Sequence, residues 1–323
     1  MSMISRRTLA AVGAGALTLQ NAAAQSYPSR PIRWILGFGA GGVGDLIARL
    51  VAPRISEGLG GQPLVIENRP SAGGIVAAEA VARAEPDGYT LLLVTTTTAT
   101  AAAMYRALPF DTIRDFTFVG QLAVFEHVIA TAADGPYKNL RGLIAAARER
   151  PGRINLGSIG VGSAQHLSVE LFKSVAGIEA TVVNYRSTPE LINAIATGEV
   201  QAGFETLAPV MPQLGGRLRG LAIPAPVRFS GLPQVPTTAE EGLPDYVIRS
   251  WNGICAPAGL PPGIAERLNR ELIRVAAMPD VQNRLRELGV EPMSGPPDAL
   301  RDLMKAEIAR YDGIVAKAGI ERL

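Results

Sequence analysis

Short apolar runs alternate with stretches of helical spacing along most of the chain. Arg33–Phe38 reads as a strand, and Leu46, Ile47, Leu50, Val51 and Ile55 then share one face of a helix over Leu46–Leu59. Pro63–Glu67 predicts a second strand, followed by glycines and an Ala-rich helix near Ile75–Ala84. Pro86-Asp87-Gly88 is a turn signal ahead of a buried-strand candidate at Tyr89–Thr95. The same rhythm returns with a strand at Asn155–Gly157, a helix at Ala164–Val175 and a strand at Thr181–Tyr185. A helix at Glu190–Ala196 and a strand at Ala202–Glu205 continue it. Pro224–Pro236 and Ala256–Pro262 read as connections, and two long helical patterns, Gly263–Ala277 and Pro297–Ala318, follow. Strands alternating with helices predict an α/β fold with largely parallel sheets, because a parallel connection needs a crossover, usually a helix.

The first 24 residues break this rhythm. Arg6 and Arg7 precede an apolar run, Thr8–Leu19, and Ala22-Ala23-Ala24 offers a small-residue cleavage site before Gln25. That layout predicts a cleaved export signal, the run being too short for a spanning helix. Ser5-Arg6-Arg7-Thr8-Leu9 also resembles a twin-arginine signal, so the export route stays open. Removing the leader takes two of the 31 basic residues and none of the 29 acidic ones, leaving a balanced mature chain. Such a surface steers no ligand from afar, so recognition has to lie in a local site.

Composition narrows the chemistry. The absence of a basic block argues against nucleic acid as a partner. Cys255 is the only cysteine, which excludes an internal disulfide and Cys-pair zinc sites. With only His127 and His166 a histidine-rich metal centre is not expected. No H-E-x-x-H, G-x-S-x-G or S-x-x-K pattern occurs, so no catalytic residue is nominated.

Glycine loops carry the remaining signal. Gly37-Phe38-Gly39-Ala40-Gly41-Gly42 has dinucleotide-type spacing between a strand and a helix, and Glu67 ends the next strand where a ribose-binding acid would stand. An exported nucleotide-dependent oxidoreductase using Gly37, Gly39 and Gly42 is therefore one reading. The physics is equally that of a glycine turn whose N–H groups meet a carboxylate at a helix N-terminus. Further loops, Asn68–Gly74 and Gly157–Ser163, each precede a helix. Several such loops suit a small anion gripped from two sides.

The ordered motifs resemble the Bug family, the extracytoplasmic solute receptors of tripartite tricarboxylate transporters. Gly41-Gly42, Asp45 and Ala48-Arg49 are similar to the family's first loop and helix, Val65–Pro70 with Gly73-Gly74 to its second segment, and Pro86–Leu91 to its third. Gly160–Ser163 with Gln165-His166-Leu167 and Glu170-Leu171-Phe172 resembles the central signature. Leu232-Pro233, Val235–Thr237, Glu240, Gly242–Pro244, Trp251–Gly253 and Ala256–Gly259 continue it.

The resemblance implies an α/β, two-domain periplasmic binding protein-like (type II) fold with a Venus-flytrap hinge. It implies a discontinuous first domain, 25–122 plus 254–323, and a second, 123–253. It further implies a monomer in the periplasm that takes a small organic carboxylate, needs no cofactor or metal, and serves integral membrane transporter subunits. On matching positions the first domain offers Phe38, Gly39, Ala40, Gly41, Gly42, Asp45 and Thr96. The second offers Ser158, Gly162, Ser163, His166, Tyr185, Arg186 and Glu205. Asp45 can equally serve as a helix cap or dipole partner, and Glu205 is expected to face an amino group or pair with Arg186. Gly44 stands where the family often has a hydroxyl residue, Asn184 where it has Pro, and Glu205 where it has Asp.

Overall fold

The computed structural model describes residues 27–161, 163–317 and 319–323. The expected export signal and the candidate Gly162 lie outside the described residues.

The first sheet begins as the apolar pattern predicts. β1 (Ile32–Leu36) lies between β2 (Leu64–Asn68) and β3 (Thr90–Thr95), all parallel. The crossovers carry α1 (Val43–Gly58) and α2 (Ile75–Ala82), and α3 (Thr96–Met104) leaves the end of β3. α1 buries Ile47, Ala48, Val51 and Ile55 against the sheet, whereas Leu46, assigned to that face by spacing, is 41% exposed.

The parallel order then breaks. β4 (Phe116–Ala132) and β9 (Arg249–Pro257) form a long antiparallel pair, and β9 also runs antiparallel to β3. The expectation of largely parallel sheets therefore holds only on the flanks. β4 has buried residues on both faces, so it lacks the alternation that marks a half-exposed strand.

β4 also changes partners along its length. Through Glu126 it pairs with β9, and from His127 onward with β7 (Ala202–Thr206) and β8 (Leu218–Ala222). β7 continues a second sheet through β5 (Asn155–Ile159) to β6 (Thr181–Tyr185), these three parallel. α4 (Leu140–Glu149), α5 (Ala164–Ala176), α6 (Thr188–Thr197) and the short α7 (Leu207–Val210) cover it. The chain then returns through β9 to the first sheet and adds α8 (Pro262–Ala276), α9 (Pro279–Glu287), β10 (Val290–Pro292) and α10 (Pro297–Lys317). Positions 122/123 and 253/254 both fall inside continuous strands, and all of β9 pairs within the first sheet.

Each lobe packs a core on both faces of its sheet. α5 crosses between them, with Leu171 packed against a cluster of each lobe. Leu167 of α5 is fully buried in a first-lobe cluster with Ala99, Ala103, Trp251 and Tyr311, so α5 docks onto α3 and α10.

Polar groups are concentrated where the chain passes between lobes. Arg249 pairs with the buried Glu126 at 2.6 Å, and burial pushes the Glu126 carboxyl up while Arg249 pulls it back. His127 Nε2 lies 2.6 Å from Ser250 Oγ. From α10, Arg310 donates to the Val247 carbonyl and to Glu307.

Candidate functional site

In both lobes the helices begin at the carboxyl ends of parallel strands, the position where open α/β sheets bind ligands. β1 and β3 end at Leu36 and Thr95; β5, β6 and β7 end at Ile159, Tyr185 and Thr206. The docking of α5 on α3 brings these two sets of ends to the same side of the molecule.

The glycine loop after β1 serves two purposes. At Gly37 a β-carbon would lie 2.8 Å from Gly74 Cα, so this glycine permits close packing of the next loop. Gly39, Gly41 and Gly42 instead face open space, and Gly41 takes φ +88°, which strains any L side chain. Among the described residues the amides of Gly39, Ala40 and Gly42 donate to no protein acceptor. Gly41 differs: its N–H donates to Asp45 Oδ2 at 3.0 Å.

Asp45 is the pivot of this loop. It is 2% exposed and also accepts from Arg49 Nε at 2.9 Å and from Asn68 Nδ2 at 3.1 Å. Asn68 further donates to the Phe38 carbonyl at 3.1 Å. Burial alone would raise the Asp45 carboxyl, but the hydrogen bonds from Arg49, Gly41 and Asn68 hold it below the usual range. Asp45 thus shapes the loop through Gly41, Arg49 and Asn68. Gly44 is explained as well. A β-carbon there would lie 2.5 Å from Phe38 Cζ, so the missing hydroxyl makes room for the Phe38 ring.

Thr96 is buried and has a protein partner. Its Oγ1 accepts the Trp251 amide at 2.9 Å and ties α3 to β9. The end of β3 stays rigid through a capping box between Thr95 and Thr98.

In the second lobe, Ser158 is buried and donates to Asn184 Oδ1 at 2.6 Å, which gives Asn184 a structural partner. Ser163 caps α5 by accepting the His166 amide at 3.1 Å. His166 is half-buried, and burial lowers its pKa below the ordinary 6.5 despite Glu170 nearby. Tyr185 packs among apolar residues, and its hydroxyl donates to Glu199 at 2.8 Å. Burial and Glu199 push its pKa up to about 12.

Glu205 pairs with neither Arg186 nor any amine. It accepts from Gln165 Nε2, Thr188 Oγ1 and the Thr206 amide at 2.8, 2.8 and 2.6 Å. Burial raises its pKa, and those donors only partly oppose the shift. Gln165 was visible in the central signature, whereas Thr188 left no sequence signal because its role depends on β7 lying beside α6. The sign of the linkage is direct. A carboxyl raised on folding stabilises the fold below its ordinary 4.5 and loses that contribution as pH rises through the raised value. Glu205→Gln should therefore remove a decline in stability between acid and neutral pH. Identical pH slopes in urea unfolding would place that titration elsewhere.

Arg186 behaves differently from the rest. It follows the end of β6, is exposed, and only its backbone is engaged, its N–H donating to Glu190 at 3.2 Å. Its guanidinium has no protein partner among the described residues. No group of three or more metal-ligating side chains, and no helix long and apolar enough to span a membrane, occurs among the described residues.

The model of the tripartite tricarboxylate transporter family receptor matches residues 47–320. The chain belongs to this family. BugT of Bordetella pertussis is 33% identical over 97% of this chain and 98% of its own. The structure of R. palustris Rpa4515 with adipate is 35% identical, with a TM-score of 0.85 over 92% of this chain and 100% of that one. The periplasmic binding protein BugD is 28% identical, with a TM-score of 0.83 over the same shares. The family receptor therefore has the two-lobed α/β fold of periplasmic binding proteins, and it is a solute receptor rather than an enzyme. The oxidoreductase reading fails on its own residues too. Glu67, its ribose-binding acid, is held by Arg33 at 2.8 Å and Arg69 at 2.6 Å.

Proposed function

We propose that this receptor captures a small organic carboxylate in the periplasm, between its two lobes, and passes it to integral membrane transporter subunits. The observation that carries this reading is the unpaired Arg186 guanidinium at the carboxyl end of β6. A planar, permanently charged fork suits a carboxylate. The open amides of Gly39, Ala40 and Gly42, at the N-terminus of α1, supply donors for negative charge on the other lobe. Adipate in Rpa4515 supports the ligand class.

The lobes divide where β4 exchanges partners, between Glu126 and His127, and where the chain enters β9 near Arg249. The receptor acts as a monomer after the leader is removed before Gln25, and it needs no cofactor. Phe38, Asp45, Thr96, Ser158, Ser163 and Glu205 support the walls through the contacts described above.

A thermal-shift panel of mono-, di- and tricarboxylates tests the proposal, since ligand at 100 times its Kd adds about 2.7 kcal/mol. For the best ligand, Arg186→Ala should weaken binding by about 10- to 100-fold, the worth of a charge-assisted hydrogen bond. Its unliganded stability should stay unchanged. A panel in which no carboxylate shifts the melt rejects the ligand class; unaltered affinity in Arg186→Ala rejects the assigned residue.

A further inference from the structure

A cavity of about 310 Å³ lies away from this crevice, at the amino ends of β5 and β7. Ile154, Val200, Pro136 and Ala132 give it apolar walls, and no carboxylate lines it. Its shape is stiffened from behind. Thr131 Oγ1 donates to the Gln201 carbonyl at 2.8 Å, and Gln201 Oε1 accepts the Asn155 amide at 2.8 Å.

Three lining side chains have no partner of their own. Arg150 and Arg153 are exposed and engage the protein only through their backbones, the Arg153 N–H donating to the Arg150 carbonyl at 3.1 Å. Neither guanidinium has an acceptor among the described residues. Tyr137 lines the cavity, and its hydroxyl is open to solvent, with no protein acceptor among those residues. An apolar hollow of this size with a few convergent donors is the usual form of a small-molecule site.

We infer that this cavity is a second binding site, for a carboxylate carried on a short apolar body. The apolar walls take the body, Arg150 and Arg153 meet the carboxylate, and Tyr137 supplies a neutral donor. A free acid and the C-terminus of a polypeptide both present this chemistry. The inference is independent of the crevice, because none of its residues lines both places.

Amide NMR of the ¹⁵N-labelled mature protein, titrated with sodium hexanoate, tests it. Saturable shifts are expected at Gly135, Ile154, Val200 and Gln201, with hexan-1-ol producing none. The Arg150→Ala/Arg153→Ala double variant should bind hexanoate at least tenfold more weakly, and Tyr137→Phe severalfold more weakly. Arg186→Ala should leave these shifts untouched. A second arm uses a short peptide ending in a free leucine carboxylate, with its C-terminal amide as control. Saturation by hexanoate alone identifies a free acid as the source, and saturation by the peptide alone identifies a polypeptide. Absence of saturable shifts with both probes overturns the site, as does equal binding of hexan-1-ol or of the double variant.

Discussion

Asp45→Ala is expected to unfold about 3 kcal/mol more easily than the parent chain, because it removes a buried acceptor serving several donors, one of them charged. The Gly41 amide, the Asn68 carboxamide and Arg49 would all lose their shared partner. Arg49 is half exposed and can turn to water, which keeps the loss below that of a fully buried ion pair. Asp45→Asn retains one acceptor oxygen and should fall between the two. Because the glycine loop depends on these contacts, carboxylate affinity should drop at least tenfold in Asp45→Ala. Urea unfolding and titration calorimetry on the same samples separate the roles. A variant that binds poorly but unfolds normally would make Asp45 a ligand contact instead of the loop's pivot. At acid pH the parent should converge on the variant: a lowered carboxyl contributes above its ordinary 3.8 and loses that contribution as pH falls through the lowered value.

The second large effect belongs to His127. Burial, with the charge of Arg310 behind it, pushes this imidazole down to about 4 from the ordinary 6.5. Glu126 on the same strand is engaged by Arg249 and leaves the ring uncompensated. The unfolded chain therefore binds a proton in that interval while the folded chain does not. Stability should fall as pH drops from about 6.5 to about 4, by about 3 kcal/mol in total, and level off below. His127→Gln keeps a polar group beside Ser250 and has nothing to titrate. The difference between parent and variant across a pH series isolates the histidine from the carboxyls that titrate alongside it. Parallel curves would mean that folding leaves the proton affinity of the ring unchanged.

The flanks of both sheets were legible because their elements obey simple periods. β6 occupies the residues its apolar run marked, Thr181–Tyr185, and α5 starts at the expected Ala164. β4 and β9 were not legible: strands buried on both faces show no alternation, and their pairing joins residues far apart in sequence. α9 and β10 are short elements in a stretch without a strong pattern. At the candidate site, residue type and position were legible, but the partners of the side chains were not. Thr96, Ser158 and Tyr185 stand at the ends of β3, β5 and β6, and their hydroxyls engage Trp251, Asn184 and Glu199. Only tertiary structure assigns those partners. The exposed position of Arg186 just after β6 was legible, because a cation at a strand end needs no tertiary partner to stand there.

The path of β4 also dictates an order of assembly. During synthesis β1, β2 and β3 emerge first and leave one side of β3 unpaired. The strand that completes that side, β9, follows the whole of the second lobe. An early half-sheet of this kind presents an open hydrogen-bonding edge for as long as translation of the intervening segment lasts, and such edges invite pairing with other chains. β4 meets the same delay, because its amino-terminal half awaits β9 while its carboxyl-terminal half already has β7 and β8. The inserted lobe can therefore close its sheet before the first lobe can. The lobe carrying Arg186 has all of its strands once β8 is present, whereas the sheet of the lobe carrying the glycine loop needs β9 as well.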